Sequence, residues 1–537
     1  MLLSKEALQD RAAWEQAGFA LPQYDRTALI ETTRAKPTWI HLGAGNIFRA
    51  FLANAQQKLL NEGLTDTGIL VAEGFDGEII DRIYAPRANL TVLVTLKADG
   101  SIDKSVLGSM TESMVMDPTR EVEWTRLKEI FSAPSLQMVS FTITEKGYNL
   151  NAHDGSFLAP VQADLNHGPA APTSYMGKLV ALLYERYLTC EAPLALVSMD
   201  NCSHNGSRLN AAVMTIARHW AEAGLVKPGF VAYLDDPTCG SFPWSMIDKI
   251  TPRPDAKVKD MLLAVGFEDV ETIITGKSTY VAPFVNAEGP EYLVIEDHFP
   301  NGRPPLDRAG VIFTDRETVD KVEKMKVCTC LNPLHTSLAV YGCLLGYDLI
   351  ADEMKDPELR ALVETIGYQE GLPVVVDPGI LNPRSFIDEV LQQRIPNPFM
   401  PDTPQRIATD TSQKLGIRFG ETIKAYLADP DRKVEDLHLI PLVLAGWCRY
   451  LLAVDDQGQP FELSPDPLLP GVRESVKDIA LGQQGCFHDQ LFPILSNSVI
   501  FGVNLYEAGL GERVEALFTE LVQGVGAVRA TLKKYTA

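Results

Sequence analysis

No apolar run in this chain approaches the roughly 18 residues needed to cross a bilayer. The opening segment, MLLSKEALQDRAAWEQ, is charged from Lys5 and has no apolar core of the signal-peptide kind, so the expected location is cytoplasmic. Positive charge is scarce: 48 Lys and Arg stand against 70 Asp and Glu, a net charge of −22. That balance argues against nucleic acid and against an anionic membrane surface as partners. It also means that an anionic substrate needs a local cationic pocket. Cysteine is sparse and scattered, with eight in 537 residues. Cys328-x-Cys330 beside His335 has one intervening residue where zinc sites have two to four, and no second pair follows. The expectation is therefore buried thiols, no disulfide framework and no metal. Internal repeats and low-complexity tracts are absent too.

What is present is ordinary globular material, 46% apolar and 22% charged, in a chain too long for one core. Residues 1–36 read as a polar, partly helical arm. Trp39 to Leu42 then reads as a short strand ending in Gly43-Ala-Gly45-Asn46-Ile47-Phe48. After it Phe48, Phe51, Leu52, Ala55, Leu59 and Leu60 recur at helical spacing up to a stop at Gly63. Strand, glycine turn and helix form the setting of a dinucleotide fingerprint, in which the pyrophosphate lies on the helix N-terminus. Phe48 occupies the place of the third glycine, so the motif is incomplete by itself. The next strand, Gly68-Ile-Leu-Val-Ala-Glu73-Gly-Phe-Asp76, ends in acids suited to ribose hydroxyls and hostile to a 2′-phosphate, which favours NAD. Either acid could equally be a solvated loop residue.

β-rich runs continue at 91–96, at Gln137-Met-Val-Ser-Phe-Thr-Ile-Thr144-Glu145, and at Ala192-Pro-Leu-Ala-Leu-Val-Ser-Met-Asp200-Asn201, several of them separated by helical stretches such as 176–188. The alternation predicts a doubly wound α/β sheet, with Thr144, Glu145, Asn201 and His204 at the carboxyl ends of strands, where such sheets bind ligands. Residues 291–297 read as one more strand. Helical periodicity dominates from Arg316 onward, so the expected layout is a Rossmann-like domain over 37–300 and a mainly α-helical domain over 301–537.

Within the helical part, Glu323-Lys-Met-Lys326-Val-Cys-Thr-Cys-Leu-Asn332-Pro-Leu-His335 sets an acid, lysines, an asparagine and a histidine beside an apolar run. Such groups are costly in a core unless they are satisfied or face a cavity. A plain solvated helix face remains the alternative.

Six motifs in order carry a resemblance: Gly43-Ala-Gly-Asn-Ile-Phe-Arg49-Ala, Thr144-Glu-Lys-Gly-Tyr148, Asp200-Asn201 with His204-Asn-Gly206, Phe242-Pro with Asp248-Lys-Ile-Thr-Pro252, Ile295-Glu-Asp297, and Asn332-x-x-His335. Over residues 37 to 530 the chain resembles the polyol-specific long-chain dehydrogenase family. The resemblance implies a Rossmann domain followed by a helical domain. It also implies metal-free, nicotinamide-linked interconversion of a ketone and an alcohol. It makes Lys326 the general acid/base, with Lys324 as runner-up, and Asn201 and Asn332 donors to the carbonyl oxygen. His335 would position the neighbouring hydroxyl, Asp248 would lie near the substrate, and Glu323 would relay protons to solvent.

In the family the asparagine falls five residues after the lysine; here it falls six after. On an unbroken helix the extra residue would turn the lysine by about 100°. Two solutions are open. A π-bulge could absorb it, or the helix could end and Asn332 cap a new one with Pro333 behind it. Arg394 and Arg406 are candidates to grip a substrate carboxylate, a role suited to an arginine fork. The reading favours a sugar acid over a neutral polyol as substrate, and a monomer or small homo-oligomer.

Overall fold

In the computed structural model, which describes residues 1–152 and 154–537, the chain forms two compact units. The first comprises Met1–Leu96 with Ser101–Asp320, and the second Lys97–Gly100 with Lys321–Ala537.

The first unit is built on a six-stranded sheet. In chain order its strands are β1 (Trp39–Leu42), β2 (Ile69–Glu73), β3 (Met110–Val115), β4 (Met138–Phe141), β5 (Leu194–Ser198) and β6 (Gly240–Ser241). Every pairing is parallel, and the spatial order is β3-β2-β1-β4-β5-β6. The winding reverses between β1 and β4, which creates the crevice where dinucleotide-binding sheets take their ligand. Successive side chains of a strand face opposite sides. Accordingly Ile40, Leu42, Leu70, Ala72, Val139 and Phe141 enter one core layer. Trp39, Ile69, Val71, Met138, Ala195 and Val197 enter the other. Burial on both faces is why these strands read as unbroken apolar runs.

Three expectations change. Residues 1–36 are not an arm: Leu3 and Trp14 are core residues, and Phe19–Ala20 pairs in parallel with Lys104 and Ser105. The strand Thr91–Leu96 forms, but outside the six-stranded sheet. It makes an antiparallel pair with Ile102–Leu107 and lies in a separate four-stranded sheet with Phe284–Glu288. Third, Tyr292–Glu296 pairs with Ser245–Asp248 and with Ile312–Thr314, which carries the first unit past residue 300 to Asp320.

The second unit is helical. All of Leu439–Tyr450 is buried, as befits a helix that is apolar all round apart from Arg449. Its N-terminus is closed by Glu370, whose carboxylate accepts the N–H groups of His438, Leu439 and Ile440 at 2.6, 2.6 and 2.8 Å. Gly446 lets the Tyr341 ring approach, and the Tyr341 hydroxyl donates to the Leu442 carbonyl at 2.8 Å. Several helices of this unit widen into π turns, at Lys326–Cys330, Ile366–Gly371, Val390–Arg394 and Gly416–Gly420. Among the described residues no helix is long and apolar enough to cross a membrane.

Candidate active site

The glycine turn follows β1 directly. Gly43 has φ +116°, and a Cβ there would collide with the Thr142 carbonyl just beyond β4, so glycine is required. Gly45 is different, because a Cβ there would meet nothing within 4 Å. Asn46 and Ile47 are half-buried and open the helix that passes through the π turn Phe48–Leu52 into Ala53–Asn61. Phe48 is buried and stacks on His41 with ring centroids 4.3 Å apart and planes 6° from parallel. A ring packed inward therefore replaces the third glycine. His41 lies 2.7 Å from Ser140 Oγ and 2.8 Å from Thr142 Oγ1, and burial pushes its pKa down to about 3. Arg49, fully buried, donates to Asn46 Oδ1 at 2.8 Å and to the Ala282 carbonyl at 2.7 Å, which fixes the Asn46 side chain.

The two acids after β2 are engaged within the protein. Glu73 accepts the Ala44 N–H at 2.8 Å and those of Phe75 and Asp76 at 2.8 and 3.1 Å. Burial raises its pKa, and these N–H groups pull it back. It is thus a brace for the glycine turn. Asp76 accepts the hydroxyls of Thr275 and Thr279, both at 2.6 Å.

On the β4 side, Thr144 adopts φ +63°, a strained conformation for a β-branched residue. Asp200, just beyond β5, holds it there. Its carboxylate accepts from the N–H groups of Ile143 and Thr144 at 2.9 and 2.8 Å and from the Tyr148 hydroxyl at 2.5 Å. Glu145 is exposed and pairs with Arg208 at 2.8 Å. Asn201 is exposed beyond β5, and Asp248 is a buried residue at the end of Ser245–Asp248. Sequence reasoning assigned no role to His41 or Asp200, although an acid at a strand end was the available signal for Asp200.

A dinucleotide diphosphate fits the turn. The first N–H groups of a helix have no intrahelical acceptor and face the positive end of its dipole. The open space at Gly45 lies at that helix start.

In the second unit Lys326, 2% exposed, is the first residue of the π turn Lys326–Cys330. The chain then breaks at Leu331 (φ −129°, ψ −61°), and a new helix, Asn332–Leu345, begins. The extra residue is accommodated in both ways together, by a wide turn and by a helix restart. The cap is Leu331, however, so Asn332 is the first helical residue rather than the cap, and Pro333 is the second. Asn332 and His335 are half-buried and share a helix face at i,i+3. His335 Nε2 lies 3.8 Å from a carboxylate oxygen of buried Asp402, which also pairs with Arg406. Arg406 is exposed, whereas Arg394 is 2% exposed at the end of the π turn Val390–Arg394. Glu323 is half-buried in the helix Arg316–Met325, three residues before Lys326. Among the described residues no cluster of three His, Cys, Asp or Glu could hold a metal, and all eight cysteines are free.

Residues 37–307 match the mannitol dehydrogenase Rossmann domain, and residues 318–521 the mannitol dehydrogenase C-terminal domain. The D-mannonate oxidoreductase of Thermotoga maritima is 53% identical over 536 residues, covering 99% of each chain. A substrate-free D-sorbitol dehydrogenase superposes with a TM-score of 0.81 at 25% identity, over 98% of this chain and 100% of that one. The mannitol 2-dehydrogenase of Pseudomonas fluorescens, in a ternary complex with NAD and D-mannitol, gives 0.69 at 26% identity over 99% of each chain. On sequence and on fold, across both units, this chain belongs to the mannitol dehydrogenase family.

Proposed function

We propose that this protein is an NAD-linked D-mannonate oxidoreductase. In one direction it converts D-fructuronate, NADH and a proton into D-mannonate and NAD. The observation that carries this reading is the 53% identity to a D-mannonate oxidoreductase, sustained over 99% of both chains. NAD(H) bound at the glycine turn supplies or takes up the hydride. Gly43, Gly45, Asn46, Ile47 and Phe48 form the seat for its diphosphate. Glu73 and Asp76, both bonded within the protein, shape the loop at the ribose end, and Thr144 and Glu145 border the crevice.

The ketone oxygen must gain a proton as its carbon gains a hydride, and in a metal-independent reaction that task falls to side chains. Lys326 is the general acid/base. Its burial on a turn directly before the Asn332–Leu345 helix supports the role. Glu323 exchanges the proton with solvent, Asn332 donates to the carbonyl oxygen, and His335 positions the adjacent hydroxyl. Asn201 takes the second donor role and Asp248 a substrate-binding role, both on the strength of the family resemblance. The same reading places the enzyme in the cytoplasm as a monomer or small homo-oligomer.

The test compares kcat/KM for D-fructuronate, D-tagaturonate and D-fructose with NADH and NADPH. A preference for D-fructuronate with NADH is expected. A preference for D-fructose would make this a neutral polyol dehydrogenase.

A further inference from the structure

A sugar acid carries a negative charge into a protein whose own net charge is −22, so some cation must meet it. The two arginines picked out by sequence are poorly placed for this. Arg406 is already paired with Asp402, and Arg394 is 2% exposed within the protein.

Arg418 is a largely buried cation with no carboxylate partner among the described residues. It sits in the π turn Gly416–Gly420, which packs so closely on residues 500–502 that side chains at Gly416 or Gly420 would strike that backbone. Its one side-chain hydrogen bond runs from Nη1 to Thr336 Oγ1, and no carboxylate among the described residues pairs with it. Burial alone pushes its pKa down to about 10, with no acid to offset it. The fully buried Arg186 shows the contrast, since its N–H groups are spent on five backbone carbonyls. None of Arg418's remaining donors is sealed in the interior unpaired, so they open onto accessible space. A second cation, Lys414, lies one turn earlier; burial and the Arg418 charge lower its pKa, while Asp410 and Asp466 act on it in the opposite sense. Arg418 itself has no acid to offset its burial, and a cation so placed is stabilised by an anion that joins it.

The location is specific. Thr336, which accepts from Arg418, donates at 2.8 Å to the carbonyl of Asn332 and directly follows His335. Arg418 is therefore anchored to the first turn of the helix that carries both residues. The Nη1 bond to Thr336 leaves the Nε–Nη2 edge for the parallel pair of N–H···O bonds that a carboxylate accepts.

We propose that Arg418 binds the substrate carboxylate and makes the enzyme choose a sugar acid over a neutral ketose, an inference that rests on the D-mannonate reading. The experiment is steady-state reduction of D-fructuronate and D-fructose by the wild type, Arg418→Gln and Arg418→Lys, together with NADH affinity and melting temperature. Arg418→Gln should lower kcat/KM for the acid on the order of 10²-fold, chiefly through KM. The neutral ketose should change by less than about threefold, with NADH affinity and melting temperature unmoved. Arg418→Lys should recover part of the loss, because it keeps the charge but not the fork. Equal losses on both substrates, or none on the acid, would overturn the assignment while leaving the proposed reaction standing. A wild type that reduces D-fructose but not the acid would overturn both.

Discussion

At the scale of single residues, the glycine turn supplies a paired test. Gly43→Ala forces a Cβ into the Thr142 carbonyl at φ +116°, and we expect a loss of about 3 kcal/mol or more in urea unfolding. Gly45→Ala has room and should unfold within about 0.5 kcal/mol of wild type. Its cost should appear in cofactor binding instead, as an NADH dissociation constant raised about tenfold or more. Lys326→Ala should lower turnover by about 10²-fold or more with NADH binding intact, and near-normal turnover would pass the acid/base role to Lys324 or elsewhere. His41 makes a pH prediction. Its folded pKa is about 3 against 6.5 when free, so between those values the unfolded chain holds a proton that the folded chain lacks. Stability must therefore fall as pH drops through that window, by about 2 kcal/mol from this group between pH 7 and 5. His41→Asn should show a correspondingly shallower loss, and an equal slope in both proteins would remove His41 from the account. The glycines were legible in the sequence because a turn between strand and helix is a local event. Glu73 bracing Ala44, Arg418 reaching Thr336 and His41 stacking under Phe48 depend on the folded path or on environment, so sequence spacing could not announce them.

At the scale of elements, Glu370 shows how one carboxylate holds a helix. It closes the N-terminus of Leu439–Tyr450 through three N–H groups, those of Leu439 and Ile440 buried and that of His438 partly so. Glu370→Ala leaves these donors without an acceptor, and about 2–4 kcal/mol of stability should be lost on denaturant titration. A value near zero would mean that water replaces the carboxylate without cost. Trp39–Leu42 was legible because a strand buried on both faces is an unbroken apolar run ended by glycine. Met110–Val115 was not, since it is an edge strand whose Glu112 and Ser113 are only partly buried. Thr91–Leu96 was recognisable as a strand, yet its sheet depends on Phe284–Glu288, far along the chain, and no local pattern encodes that partner.

At the scale of the whole molecule, two units with different secondary structure were expected, because strand–helix alternation gives way to helical periodicity along the chain. The end of the first unit was harder to see. Ile312–Thr314 is only three residues long, too short to interrupt a helical texture, yet its pairing with Tyr292–Glu296 extends that unit to Asp320. The burial of Leu3, Trp14 and Phe19 was hidden in the same way, by the polar residues around them. Chemistry without metal has a direct check. Dialysis against EDTA should leave kcat within about twofold of its starting value, and added zinc should not raise it. Loss on chelation with recovery on zinc would call for a metal site and a different source of carbonyl polarisation.

Lys326, Arg394 and Arg418 each lie on a helical turn widened by one residue. A widened turn is a movable unit. Shifting the added residue by a few positions rotates whatever lies between the old and new sites by about 100° and leaves the helix ends where they were. New substrate preferences in this architecture are then reachable by small insertions and deletions as well as by substitutions, and a comparison of relatives by aligned identity alone would pass over them.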